Sequence, residues 1–151
     1  MRNTTLCYII KDGSYLMLYR NKKENDVNGG KWVGVGGKFE AGETPEQCLL
    51  REVREETGLL LTAYTFRGIV HFRSDAWEDE EMYLYTGEGF EGELSEGCAE
   101  GELHWIPIPE VMNLSLWEGD KIFLKMLTED ERNIDLTLRY EGDTLTEAKL
   151  G

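Results

Sequence analysis

The sequence predicts an α/β sandwich folded as one domain, residues 1–151. Three observations carry this. Short β-prone runs occur in both halves of the chain, two segments show helical spacing, and no linker or internal repeat divides the 151 residues. The composition is that of a globular protein, 40% hydrophobic and 30% charged with three prolines. A chain this long buries enough apolar surface to fold without disulfides.

The elements follow in order. Thr4 to Ile10 is an apolar β-prone run, Lys11-Asp12-Gly13-Ser14 a turn, and Tyr15 to Tyr19 a second strand. Arg20 to Lys31 is polar, contains Asn28-Gly29-Gly30, and reads as a mobile loop. Trp32 to Val35 reads as a short strand ended by Gly36-Gly37. Pro45 to Thr57 carries the clearest helix signal. Thr44 serves as N-cap, Pro45 suits the first turn, Gln47 closes a capping box and Gly58 supplies the stop.

β-prone runs then cover Tyr64 to Phe72 and Met82 to Thr86. An acidic, glycine-rich stretch from Gly87 to Gly101 separates them from Leu103 to Ile108. Pro109 to Met112 reads as a helical turn. Glu118 to Leu127 has helical spacing at Ile122, Phe123, Met126 and Leu127. The tail alternates from Ile134 to Tyr140, turns at Glu141-Gly142-Asp143 and returns, so 133–151 is expected to be a C-terminal β-hairpin of the same domain.

A net charge of −14 repels polyanions, which argues against a nucleic-acid polymer as partner. One small anionic substrate stays admissible, because a divalent cation inverts the local field. Cys7, Cys48 and Cys98 are odd in number and widely spaced, fitting neither a disulfide framework nor a zinc site. They are read as packing residues in a reducing compartment. Met1 to Lys11 has no long apolar core or small-residue cleavage site, and no apolar run reaches about 18 residues. The expectation is a soluble cytoplasmic protein with no membrane partner, monomeric or homodimeric.

On the helix, Glu52, Glu55 and Glu56 stand at i, i+3 and i+4 and share an arc of roughly 100°. Leu49, Leu50, Val53 and Thr57 fall on another arc, expected to face the core. Three like charges on one face repel each other. Such a set is either a solvated surface or a gathering of hard oxygen ligands for Mg²⁺ or Mn²⁺.

The surroundings decide between these readings. Gly37, Glu43 and Arg51-Glu52-Val53-Arg54-Glu55-Glu56-Thr57-Gly58-Leu59 resemble the Nudix box: Gly, five residues, Glu, seven residues, then Arg-Glu-apolar-x-Glu-Glu-x-Gly-apolar. All nine specified positions match, and a chance match along this chain is on the order of one in a million. Further likeness lies in Arg20-Asn21-Lys22-Lys23, Gly30 to Lys38, Glu100 to Trp105 and Trp117-Glu118-Gly119-Asp120. These resemble the MutT/MutX group of 8-oxo-dGTP diphosphatases, over a stretch from Leu6 to Leu127.

The resemblance implies an α/β/α sandwich around a mixed sheet, and a pyrophosphohydrolase of a nucleotide substrate dependent on Mg²⁺, with Mn²⁺ as the alternative. It implies metal ligation by Glu52, Glu55, Glu56 and the Gly36 carbonyl. Glu100 is expected as a further ligand or base, with Arg51 orienting the glutamates. Either Glu52 or Glu100 would take the proton from water. Arg20 and Lys38 would hold phosphates, with Lys23 as an alternative to Arg20. Trp117 and Asp120 would contact the nucleobase. Val33 stands where the mammalian sanitising enzyme has asparagine, and valine cannot make that side-chain hydrogen bond. The implied reaction is 8-oxo-dGTP plus water to 8-oxo-dGMP plus pyrophosphate. The alternatives are another nucleoside diphosphate-X substrate such as ADP-ribose, or a nucleotide-binding module without turnover.

Overall fold

The structure is a computed structural model that describes residues 1–151 apart from 23, 25 and 27. Nine strands and three helices are described: β1 (Arg2–Lys11), β2 (Ser14–Arg20), β3 (Trp32–Val33), β4 (Val35–Lys38), α1 (Pro45–Thr57), β5 (Leu60–Ser74), β6 (Glu80–Glu91), β7 (Gly101–Pro107), α2 (Ile108–Val111), α3 (Glu118–Thr128), β8 (Ile134–Glu141) and β9 (Thr144–Leu150). Lys23, the alternative phosphate contact, lies outside the described residues.

The central sheet is mixed, as expected. β1 pairs parallel with β6 and antiparallel with β4, β6 pairs antiparallel with β5, and β5 pairs parallel with β8. The hairpin partner β9 closes the edge. The far end of β1 turns into β2 at Ile10 and Tyr15, and β3 and β7 flank β2.

Both faces of this sheet are covered. Successive residues of a strand point to opposite faces. In β1, Cys7 and Ile9 accordingly pack with Leu49 and Val53 of α1, while Tyr8 packs with Phe123 and Leu124 of α3. The layers are therefore helix, sheet, helix. Among the described residues, no helix is long and apolar enough to cross a membrane.

Helix α1 spans the residues read for it. The Thr44 hydroxyl accepts from the Gln47 backbone N–H at 3.2 Å, and the Thr44 N–H donates to the Gln47 side-chain oxygen at 3.0 Å. Gly58 takes the left-handed conformation at φ 78°, which favours glycine, and its N–H closes on the Arg54 carbonyl.

Two readings need correction. Gly36-Gly37 does not end a strand. The chain breaks at Gly34 and resumes as β4, with both glycines paired to Leu6 and Thr5 of β1. The reason for glycine is closeness: a Cβ on Gly36 would stand 2.0 Å from the Thr5 carbonyl oxygen. Gly87 to Glu91 likewise belongs to β6, because β5 runs back to Leu60 and pairs with it through several irregularities. Only 92–100 of the acidic stretch connects β6 to β7.

Candidate active site

Arg51 is the hub of the outer part of the site. Its Nε and Nη2 donate to both oxygens of Glu43, at 2.6 and 2.9 Å. Its Nη1 donates to Glu52 at 2.7 Å and to Glu55 at 3.1 Å, and Nη2 also reaches the Lys38 carbonyl at 3.0 Å. Arg51 is thereby held well above its ordinary pKa, first by the hydrogen bond to Glu43. The Arg51 hydrogen bond, with help from the Glu40 N–H, holds the Glu43 carboxyl down at about 2. One guanidinium thus fixes the loop before α1, the end of β4 and two glutamates of the helix.

The inner part is buried. Glu56 is only 6% exposed, although sequence spacing grouped it with a solvent-facing set. Its Oε1 accepts the Gly36 N–H at 2.7 Å. Burial pushes its carboxyl up to about 8; the Gly36 bond opposes this, while the charges of Glu52 and Glu100 add to it. Glu52 is half-buried and also shifted up by burial, against the pull of Arg51. The Glu52 carboxylate lies directly over Gly37, where a Cβ would meet it at 2.5 Å. Glu55 is different: its side chain is 58% exposed and its described contact is with Arg51.

Glu100 comes in from the acidic loop. Ser95 N–H donates to the Thr57 carbonyl at 2.8 Å, and Lys22 N–H donates to the Glu100 carbonyl at 3.2 Å, so the loop is fastened to α1 and to the segment that follows β2. Donor atoms of Glu56, Cys98 and Glu100 lie within 4.8 Å of one another. A buried carboxyl crowded by two further carboxylates is an unfavourable arrangement by itself. Oxygen donors converging on such a point fit a hard divalent cation, whose charge removes that penalty.

A cavity of about 290 Å³ lies along β1 and β4, and Gly36, whose N–H is bound by Glu56, is part of its wall. It is lined by Gly36, Gly37, Arg20 and Lys38 together with Val33, Trp117 and Asp120. The structure therefore brings the expected phosphate and base residues to one continuous space. Arg20 is not free: its Nε donates to Asp26 at 2.7 Å. Lys38 is exposed.

Trp117 caps the start of α3, and its Nε1 donates to the Asn28 side-chain oxygen at 2.8 Å. Its ring takes the Tyr140 ring edge-on at 5.5 Å and the Lys31 ammonium at 5.2 Å. Asp120 is buried on the first turn of α3. Burial raises its carboxyl to about 7, with the Glu80 charge adding and Lys31 opposing. Glu80 is itself bound by Arg2 at 2.7 Å and by the Thr4 hydroxyl at 2.6 Å.

Sequence reasoning missed several residues here. Trp77, 40% exposed, lies edge-on to Trp117 at 6.1 Å and lines the cavity with Phe72 and Glu80. Phe72 and Glu80 face each other at the end of the β5–β6 hairpin and Trp77 lies in its turn, and no spacing rule links them to α1. Cys98 was read as packing. It does touch the core cluster beside α1, yet its thiol also reaches the carboxylates.

Comparison with known proteins is consistent with this geometry. The family model for the NUDIX domain matches residues 1–127. An oxidized purine nucleoside triphosphate hydrolase of Danio rerio is 28% identical over 148 residues, covering 97% of this chain and 92% of that protein. The uncharacterized Nudix hydrolase YvcI of Bacillus subtilis is 25% identical, covering 93% and 87%. Among solved structures, the mutator MutT protein from Bacillus halodurans superposes with a TM-score of 0.89 at 28% identity, covering 99% of this chain and 97% of that one.

Proposed function

The chain belongs to the NUDIX domain family and is a hydrolase of it; on that premise we propose that it is a Mg²⁺-dependent nucleoside triphosphate pyrophosphohydrolase acting on 8-oxo-dGTP. The observation that carries this reading is one cavity lined by Trp117, Asp120, Arg20, Lys38, Gly36 and Gly37, the last two of which touch Glu56 and Glu52 of α1. A base bound between Trp117 and Asp120 would direct its phosphates toward Arg20, Lys38 and the glutamates. The volume, near the ~300 Å³ lower end for ligand pockets, suits a nucleobase with its phosphates reaching the mouth. Likeness to a relative named for oxidized purine nucleotides supports the same substrate.

In this reading Glu52, Glu56 and Glu100, with Glu55 at the outer rim and the Gly36 carbonyl, would hold Mg²⁺, with Mn²⁺ as substitute. The cation would neutralise phosphate oxygens and make water a better nucleophile. The chain's own groups do the rest. Arg51 keeps Glu52 and Glu55 aimed along one side of the helix. Glu52 or Glu100 accepts the proton of the attacking water. Arg20 and Lys38 bind the phosphates being separated. The Trp117 ring stacks on the base and the Asp120 carboxyl bonds to its edge. Attack on the β-phosphorus releases pyrophosphate and leaves the monophosphate.

One feature favours a second reading, a different nucleoside diphosphate-X substrate such as ADP-ribose. Val33 presents only carbon to the cavity, so base recognition leans on fewer polar groups. The test is release of pyrophosphate or phosphate products with Mg²⁺ at low substrate, comparing 8-oxo-dGTP, dGTP, dCTP and ADP-ribose. Preference in kcat/KM for 8-oxo-dGTP, reduced roughly tenfold or more toward dGTP by Trp117→Ala through lost stacking, is the expected result. Preference for ADP-ribose, with Trp117→Ala neutral, overturns the substrate assignment. No metal-dependent turnover of any of these would leave a nucleotide-binding module.

A further inference from the structure

The thiol of Cys98 lies within 4.8 Å of carboxylate oxygens of both Glu56 and Glu100. It is held there by the main chain. Cys98 N–H donates to the Gly101 carbonyl at 3.1 Å, and Gly101 N–H returns a bond to the Cys98 carbonyl at 3.3 Å. Those bonds form an isolated bridge at the mouth of β7, and Ser95 fastens the same loop to the end of α1. Glu56 faces the thiol from α1 and is pinned by Gly36. The three donors therefore come from two independently anchored segments.

The other cysteines are differently placed. Cys7 is fully buried in the sheet. Cys48 is buried too, with its sulfur against the Thr5 hydroxyl and the Gly37 carbonyl, each at 3.5 Å. Only Cys98 is half-buried beside the carboxylates.

Donor type sets metal preference. Mg²⁺ takes oxygen ligands and keeps several waters, whereas Zn²⁺ and Co²⁺ accept thiolate together with carboxylate. We propose that Cys98, with Glu56 and Glu100, forms a mixed thiolate–carboxylate site that captures a borderline divalent cation such as Co²⁺ or Zn²⁺. On binding, the S–H bond breaks, a sulfur–metal bond forms and the proton leaves to solvent. The inference rests on the reading of this cluster as a metal centre, and it adds a donor to the carboxylate set. It predicts that such cations compete with Mg²⁺ for Glu56 and Glu100.

The test is titration of chelator-treated full-length protein with Co²⁺, followed by near-ultraviolet absorption. A sulfur-to-cobalt charge-transfer band that saturates is expected in the wild type. It should vanish in Cys98→Ser and Cys98→Ala, and Cys98→Asp should bind Co²⁺ without it. Circular dichroism checks that each variant is folded. A second measurement needs no variant: bound Co²⁺ should protect Cys98 from alkylation, mapped by mass spectrometry. Co²⁺ binding without the band, no Co²⁺ binding, or an unchanged band in Cys98→Ser overturns the proposal. Wild-type turnover of nucleotide with Mg²⁺ is measured in parallel. Turnover without the band rejects Cys98 alone, and the band without turnover rejects the proposed nucleotide substrate while keeping the site.

Discussion

Arg51 and Glu43 meet side-on, with Nε and Nη2 of the guanidinium on the two oxygens of one carboxylate. The pairing joins the loop before α1 to the middle of that helix, so it acts on Glu52 and Glu55 through Arg51. Arg51→Lys offers one point charge in place of a planar fork. It should lower kcat by about 10- to 100-fold, the usual effect of losing a partner that orients a ligand. Glu43 has its folded pKa lowered from 4.5 to about 2, so the unfolded chain binds more protons between these values. Stability from this group is present above pH 4.5 and is lost as pH falls toward 2. In urea titrations, Glu43→Gln should flatten the acid limb over that window, and an unaltered limb would refute the pairing.

The paired glycines of β4 should behave differently. Alanine at Gly36 would place its Cβ 2.0 Å from a backbone oxygen of β1, which cannot yield without breaking the pairing. A loss of about 2 kcal/mol or more is expected, read as a lower urea midpoint. Alanine at Gly37 would meet only the far end of Glu52, which can swing away. Gly37→Ala should therefore stay folded, with a near-normal midpoint and much reduced turnover. Equal destabilisation by both would contradict the placement of Glu52.

Glu56→Gln keeps an acceptor for the Gly36 N–H and fixes the buried side chain in a neutral form, which the wild-type carboxyl leaves only as pH rises past about 8. The variant should be at least as stable as the wild type without metal, most clearly above pH 8, where a charged Glu56 would repel Glu52 and Glu100. Turnover should fall by about 100-fold or more. Mg²⁺ or Mn²⁺ at ~100 times its Kd should stabilise the wild type by ~2.7 kcal/mol, and chelator should reverse this. Calorimetry of Glu56→Gln should show almost none of that Tm shift. Glu55→Gln, altered at the exposed rim, should keep part of it.

Asp120 titrates in the opposite sense to Glu43. Its folded pKa is raised from 3.8 to about 7, so between these values the native state holds a proton the unfolded chain has released. Stability from this group is full below pH 3.8 and falls as pH rises to about 7. Asp120→Asn should remove that slope and raise stability at pH 8 by on the order of 1–3 kcal/mol. It should also lower kcat/KM for the preferred base. A variant less stable at pH 8 than at pH 4 relative to the wild type would refute the assigned burial.

Helix α1 was legible to the residue because its signals are local: Thr44, Pro45, Gln47 and Gly58 each act within one turn. The box also lies within one contiguous stretch, so the carboxylates could be named before any contact was known. β4 and the end of β6 were misread because glycine disfavours strand locally, and only the distant partners β1 and β5 overrule it. The burial of Glu56 follows from β4 lying over it, which helix periodicity does not register. Trp77 and Cys98 sit in connections and reach the site only after the sheet assembles.

The Tyr140 hydroxyl accepts the Gly119 N–H at 2.9 Å, and its ring meets Trp117 edge-on. The wall of the cavity beside Trp117 is thus supplied by β8, which docks parallel on β5 across a long intervening stretch. During synthesis the outer edge of β5 stays open until β8 emerges, and an open edge is a template for pairing with another nascent chain. Ribosome-bound chains halted before Ile134 should therefore be the aggregation-prone species, and recognition of the base should be the last property this protein acquires as it is made.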